Sequence, residues 1–100
     1  MQVILHRLAE KEFVNASRYF FNDHPFKHER FREEVLTVLE RIRFNPNIGA
    51  PCEKGHRWMR TKRFKYIRYY KQVTDELIMV YAVAHASRRP GYWLRRTKRP

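Results

Sequence analysis

The hydrophobic period of this chain changes once, and that change divides it into a helical part and a strand part. Ala9, Phe13, Ala16 and Phe20 stand at i, i+4, i+7 and i+11, which is one face of a helix. Glu10, Lys11, Arg18 and Asn22 fill the other face. Phe31, Val35, Val38 and Ile42, widened by Leu39, repeat the pattern, with Arg32, Glu33, Glu40 and Arg43 outside it. Asp23-His24-Pro25 stops the first segment, because proline disfavours a helical residue before it, and Asn45-Pro46-Asn47 ends the second. An antiparallel helical hairpin follows from these signals. After Gly55 the helical period is gone.

Strands are expected on both sides of the hairpin. Val3-Ile4-Leu5 is short and rich in β-branched residues, which predicts a strand over residues 2–6. Residues 57–61, 66–70 and 77–84 read as three more, with Val73-Thr74-Asp75 turning the chain between the last two. The 77–84 run is apolar on both faces, as in an interior strand covered on both sides. Residues 47–54 read as a loop marked by Gly49 and Pro51. Tyr92-Trp93-Leu94 begins a short final element, and residues 95–100 read as a basic tail. The order β-α-α-β-β-β predicts a two-layer α+β domain, with the hairpin packed on one face of the sheet. The opposite face is expected to collect residues 57–71 and the segment after His85.

Charge is as unevenly distributed as period. Residues 1–53 balance 8 Lys/Arg against 8 Asp/Glu, whereas residues 54–100 carry 14 Lys/Arg against Asp75 and Glu76 alone. The whole formal charge of +12 therefore lies in the strand half, interleaved with Trp58, Phe64, Tyr66, Tyr69, Tyr70, Tyr81, Tyr92 and Trp93. Such a concentration opposes folding through self-repulsion and points to an anionic partner. One hundred residues make a single domain with one core. Cys52 is the only cysteine, so no intrachain disulfide forms, which fits a reducing compartment. No apolar run reaches the roughly 18 residues of a membrane span, and residues 1–6 are too short for a signal peptide. A cytoplasmic protein with no membrane partner is expected.

Longer patterns carry a family resemblance. The helical part shows Ala9-x-x-Glu12-x-x-x-Ala16-x-x-Tyr19 and a second helix ending in Asn45-Pro46, with Gly49 soon after. The strand part shows Phe64-x-Tyr66-Ile67-x-Tyr69-Tyr70, then Ile78-x-Val80-x-Ala82-Val83-x-His85. The most specific stretch is His85-x-x-Arg88-Arg89-x-x-Tyr92-Trp93-x-x-Arg96. Taken in order, these resemble the RelE/ParE toxins of bacterial type II toxin–antitoxin systems over nearly the whole chain. The resemblance implies a RelE/ParE-like fold with a mainly antiparallel sheet, and a toxin, often tied to plasmid stabilisation, that arrests growth when free. It also implies a hetero-oligomer with a cognate antitoxin. ParE-like members poison DNA gyrase, and RelE-like members cut mRNA on the ribosome without metal.

Metal-free RNA cleavage makes the 2′-hydroxyl the nucleophile, so the protein must move protons and stabilise a pentavalent phosphate. His85, Arg88, Arg89 and Tyr92 are the candidate catalytic residues if the chain is a nuclease. The RelE-type nucleases place an arginine in the strand that here reads Tyr66-Ile67-Arg68. Tyr66 occupies that register position, and Arg68 lies one pleat away. The Arg88-to-Tyr92 spacing is also shorter than the nuclease pattern. Both departures lean toward a gyrase-directed protein that docks through its hairpin and basic tail. Candidate target- or nucleic-acid-binding residues are Arg57, Arg60, Lys62, Lys65, Arg68, Trp93 and Arg96. A nucleic-acid-binding module without toxicity is a third reading. His24-x-x-x-His28 and Cys52-x-x-x-His56 have ligand types, but Pro25 interrupts the first and the spacings match no usual zinc site, so no metal and no cofactor are expected. Tyr19 and Phe21 lie off the buried stripe and are candidates for an antitoxin or dimer contact.

Overall fold

The computed structural model describes residues 1–23, 25–61, 63–89 and 91–98. Strand β1 (Gln2–Leu5) leads into helices α1 (Arg7–Asp23) and α2 (Pro25–Phe44). Then come β2 (Ala50–Pro51), β3 (Arg57–Arg60), β4 (Tyr66–Thr74) and β5 (Leu77–His85), and a 3₁₀ turn over Leu94–Lys98. The sheet order is β1-β5-β4-β3-β2, with β1 parallel to β5 and every other pair antiparallel. The α+β architecture therefore has the expected hairpin and mainly antiparallel sheet. Among the described residues no helix is long and apolar enough to cross a membrane.

Proline at the first position of α2 restarts the helix with its φ already set. Ring contacts Phe21–His28 (5.4 Å) and Phe20–Phe31 (4.8 Å), then the Ala9–Val38–Ile42 cluster, step away from the turn together, as in an antiparallel hairpin. The inner stripe packs on Tyr70, Ile78, Val80 and Val83 of the sheet. A bulge makes this possible. Tyr69 pairs with Ala82 but Tyr70 pairs with Val80, so Tyr81 is an extra residue on β5. The pleat slips by one, and both Val80 and Val83 face the helices.

The other face of the sheet is covered by the C-terminal segment. Trp93 is buried with Tyr81 and Ala82 and stacks on Tyr69 at 4.7 Å, with 27° between the planes. β5 is thus covered on both sides, as its sequence predicts.

Three expectations need correction. β4 runs on to Thr74 because Val73 is accommodated as a second irregularity opposite β5, and the turn falls at Asp75-Glu76. Ala50–Pro51, read as loop, pairs with Arg57 and Trp58 as a two-residue edge strand. Residues 95–98 are a folded 3₁₀ turn and not a solvated tail, while Arg99 and Pro100 lie outside the described residues.

Candidate functional site

The site builds from the place where β1 stops. β1 pairs with β5 up to Leu5–Val80, and the His6 amide donates to the Val80 carbonyl at 2.8 Å. Beyond that point no strand among the described residues covers the β5 edge, so its backbone groups need other partners. Glu12 and Arg96 provide them. The Val83 amide donates to Glu12 Oε1 at 3.1 Å, and Arg96 Nη1 donates to the Tyr81 carbonyl at 3.0 Å. Arg96 also grips the Glu12 carboxylate through both terminal nitrogens, at 2.8 and 3.2 Å, and the Tyr92 hydroxyl donates to the same carboxylate. The Arg88 and Arg96 guanidiniums lie over the Tyr92 ring, 4.0 and 5.1 Å from its centre. Burial, then the Glu12 hydrogen bond and charge, push the Tyr92 phenol far above its ordinary value, against the opposing pull of Arg96 and Arg88.

His85 ends β5 and is exposed. Its Nδ1 accepts the Ser87 amide at 3.1 Å, with the Ser87 hydroxyl 2.7 Å away. An amide only donates, so the neutral ring carries its proton on Nε2. His85 and Arg88 line a cleft of about 300 Å³ together with Tyr19, Tyr66 and Glu12. A second cleft of about 470 Å³ adjoins it, sharing Tyr19, Tyr66 and His85 and adding Phe64, Arg63 and Lys65. The structure therefore gathers His85, Arg88 and Tyr92 at one corner, with Lys65 next door. Arg89 is exposed beside them, and its carbonyl accepts the Tyr92 amide at 3.3 Å.

The basic residues of the strands do not share a face as expected, because successive side chains of a strand point to opposite sides. Arg57, Met59, Tyr66, Arg68 and Tyr70 turn toward the helices. Trp58, Arg60, Ile67, Tyr69 and Lys71 turn away. Arg57 is half-buried and donates to the Gly49 carbonyl at 2.8 Å, bracing the loop before β2. Arg68 is 0% exposed, and its three guanidinium nitrogens have no hydrogen-bond partner among the described residues. Burial pulls it down to about 10, with the Glu34 charge the smaller, opposing influence. Trp93 is 1% exposed and Arg96 is committed to Glu12. These three expected surface contacts therefore stand inside the fold: alternation carries Arg68 inward, and the C-terminal turn folds Trp93 and Arg96 back onto β4 and β5. Arg60 and Lys65 are exposed, and Lys62 lies outside the described residues.

His56 is also enclosed. Its ring meets Trp93 at 4.8 Å and Tyr81 at 5.3 Å, and its Nδ1 hydrogen-bonds the Glu53 carbonyl at 3.0 Å. Burial lowers its proton affinity. His24 of the first candidate metal pair lies outside the described residues, and Cys52 and His56 are joined through backbone, the Cys52 amide donating to the His56 carbonyl at 2.9 Å. Among the described residues no three His, Cys, Asp or Glu side chains group as a metal site.

Glu12 is the residue whose role sequence reasoning missed. It stands three residues after Ala9 and four before Ala16, both buried, so a carboxylate there needs a cationic or amide partner. That placement was a readable signal. The outer face of the hairpin carries an apolar furrow lined by Val14, Phe21 and Leu36, with Arg18, Arg32 and His28 also along it. Tyr19 (66% exposed) and Phe21 (56%) both stand open on α1.

Comparison with known proteins agrees with this architecture. Residues 3–90 match the family model described as the ParE toxin of the type II toxin–antitoxin system parDE. Toxin ParE2 of Mycobacterium tuberculosis, in each of two strains, is 31% identical over 88 residues, covering 87% of this chain and 83% of that protein. The α1–α2 hairpin, strands β2 to β5 and the His85–Arg88 corner fall inside the matched region. The chain therefore belongs to the ParE toxin family of type II toxin–antitoxin systems.

Proposed function

We propose that this toxin arrests growth by acting on DNA gyrase in the cytoplasm, without cutting nucleic acid itself, until its antitoxin masks it. One observation carries the non-nucleolytic part. A nuclease at this corner needs a group that exchanges protons near neutral pH, and the Tyr92 hydroxyl is bound to Glu12 and held far above that range. Arg96 is likewise occupied by Glu12 and the Tyr81 carbonyl, which removes it from phosphate binding. Of the four candidates, His85, Arg88 and Arg89 remain, one imidazole and two guanidiniums, and a guanidinium supplies charge without exchanging protons near neutral pH.

Family membership supports the gyrase direction, and the hairpin offers the docking face. Val14, Phe21, Leu36, Phe26 and Phe44 are all exposed there, more apolar surface than a helix facing only water needs. The experiment is induction without antitoxin, read at the same time for mRNA integrity and for gyrase-linked DNA breaks. Growth arrest with intact message and accumulated breaks is expected. Rapid cleavage of translated mRNA, abolished by Arg88→Ala, would replace this reading with a nuclease. Tyr92→Phe should leave toxicity in place, since the hydroxyl only supports the fold.

A further inference from the structure

We infer that the paired clefts around His85 bind single-stranded nucleic acid, taking one unstacked base against the Tyr19, Tyr66 and His85 rings and the flanking phosphates on Arg63, Lys65 and Arg88. The inference is independent of whether gyrase is the target.

The walls are aromatic and continuous. Phe20 meets Phe64 at 4.9 Å and Tyr66 at 6.0 Å, and Tyr66 meets the His85 ring edge-on at 5.4 Å. Tyr19 joins this wall through Phe20 at 5.3 Å and remains 66% exposed. An open ring beside a concave aromatic wall offers a stacking face that any base can use. Together the two clefts have the size of an ordinary ligand site.

The charge of the lining selects an anion. Arg63, Lys65 and Arg88 are its cations. Glu12 is the acid among the lining residues, and its two oxygens already serve Arg96, Tyr92 and the Val83 amide. An incoming carboxylate or phosphate thus meets a positive field, in a chain whose formal charge is +12. Flat exposed rings next to cations favour a base with its phosphates over an acidic peptide, whose side chains would leave the ring faces unfilled.

The site is also held in place before any ligand arrives. Lys65 adopts φ 54°, a left-handed conformation that side-chain-bearing residues avoid, and its carbonyl accepts the Ala86 amide at 2.7 Å. That bond ties the β3–β4 loop to the exit of β5, so Lys65 and His85 keep a fixed relation across the cleft.

The test is fluorescence anisotropy of the purified chain with labelled eight-nucleotide thymidine and uridine oligomers and with an abasic oligomer of equal charge. Base-bearing oligomers should bind about ten-fold tighter than the abasic one. Tyr19→Ala should erase that advantage and leave abasic binding unchanged. Lys65→Asn, which suits the left-handed backbone, should reduce the log–log salt slope by about 0.7 for one lost phosphate contact. Equal affinity for base-bearing and abasic oligomers would overturn the inference and reduce it to counterion release by a basic chain. An undiminished base advantage in Tyr19→Ala would overturn the assignment to this cleft.

Discussion

Arg96 Nη1 lies 2.8 Å from Glu12 Oε1, and this pair replaces a missing strand at the open edge of β5. Both side chains are mostly buried, at 13% and 18% exposure. Removing one partner strands the other. Glu12→Ala should therefore cost about 3 kcal/mol in urea denaturation, near the loss expected for breaking a buried pair. Glu12→Gln should cost less, because its amide oxygen still accepts the Val83 N–H. A loss under about 0.5 kcal/mol for the alanine variant would mean that the C-terminal turn is anchored by Trp93 alone.

Arg68 presents the opposite case, a buried cation with no hydrogen-bond partner among the described residues. Replacing a buried charge that lacks hydrogen bonds with an apolar side chain of similar length removes a desolvation cost that Glu34 offsets only in part. Arg68→Met should raise stability by about 1–3 kcal/mol. Glu34→Gln should lower it in the parent chain, since Glu34 is the charge that offsets Arg68, and should do much less in Arg68→Met. The two single variants and the double variant, compared by denaturant melts, test this directly.

High pH should unfold the protein through its phenols. Tyr66, Tyr69, Tyr70, Tyr81 and Tyr92 all stand above the ordinary value of 10.0, burial being the first cause in each. A folded value above the unfolded one means that the native state holds the proton more tightly. The stabilisation is complete below about pH 10 and is lost as pH rises toward the folded values. Arg68 works the other way, its penalty easing above about 10. Five phenols outweigh one guanidinium, so the melting temperature should fall steeply above pH 10. Phenolate absorbance at 295 nm should appear together with loss of helical circular dichroism. Phenolate formation well before unfolding would contradict it.

Low pH should act through His56. Its folded value lies below 6.5 because burial against Trp93 and Tyr81 disfavours the cation. The unfolded chain binds the proton more readily, so stability is full above about pH 6.5 and declines as pH falls below it. His56→Phe should flatten the melting temperature between pH 7 and pH 5, at some cost at pH 7 from the lost bond to the Glu53 carbonyl. An unchanged slope would assign acid sensitivity to other groups.

The elements were legible in the sequence where burial follows one period. Ala9, Phe13, Ala16 and Phe20 announce α1, and the hairpin, its proline-marked turn and β5 all stand where period and punctuation put them. The charged residues were harder to place. Composition shows that Arg57, Arg68 and Arg96 lie in a basic half, but alternation along β4 decides that Arg68 is inside. Only the return of the C-terminal turn onto β5 decides that Arg96 pairs with Glu12, 84 residues away. The extra residue at Tyr81 is equally invisible locally, because it follows from matching Val80 and Val83 to the helices. At the candidate site, His85 and Arg88 were found by their position after a strand. The two adjoining clefts that set them beside Tyr19 and Lys65 depend on contacts between α1 and the β3–β4 loop, such as Phe20 on Phe64, that no local pattern encodes.

Gly49 tests the packing of the loop that leads into β2. The Tyr70 hydroxyl accepts the Gly49 amide at 2.9 Å and donates to the Pro46 carbonyl at 2.8 Å, so one buried phenol pins the chain after α2. A Cβ on Gly49 would lie 2.5 Å from that hydroxyl and 2.8 Å from the Trp58 carbonyl. Gly49→Ala should cost about 1–3 kcal/mol as overpacking. Tyr70→Phe alone should cost about 1 kcal/mol or somewhat more, leaving the Gly49 amide and the Pro46 carbonyl without their partner. The double variant relieves the closest of these clashes, so its loss should fall short of the two single losses added together by at least about 0.5 kcal/mol. Strict additivity in urea denaturation would show that the loop moves away from Tyr70 to admit the methyl group.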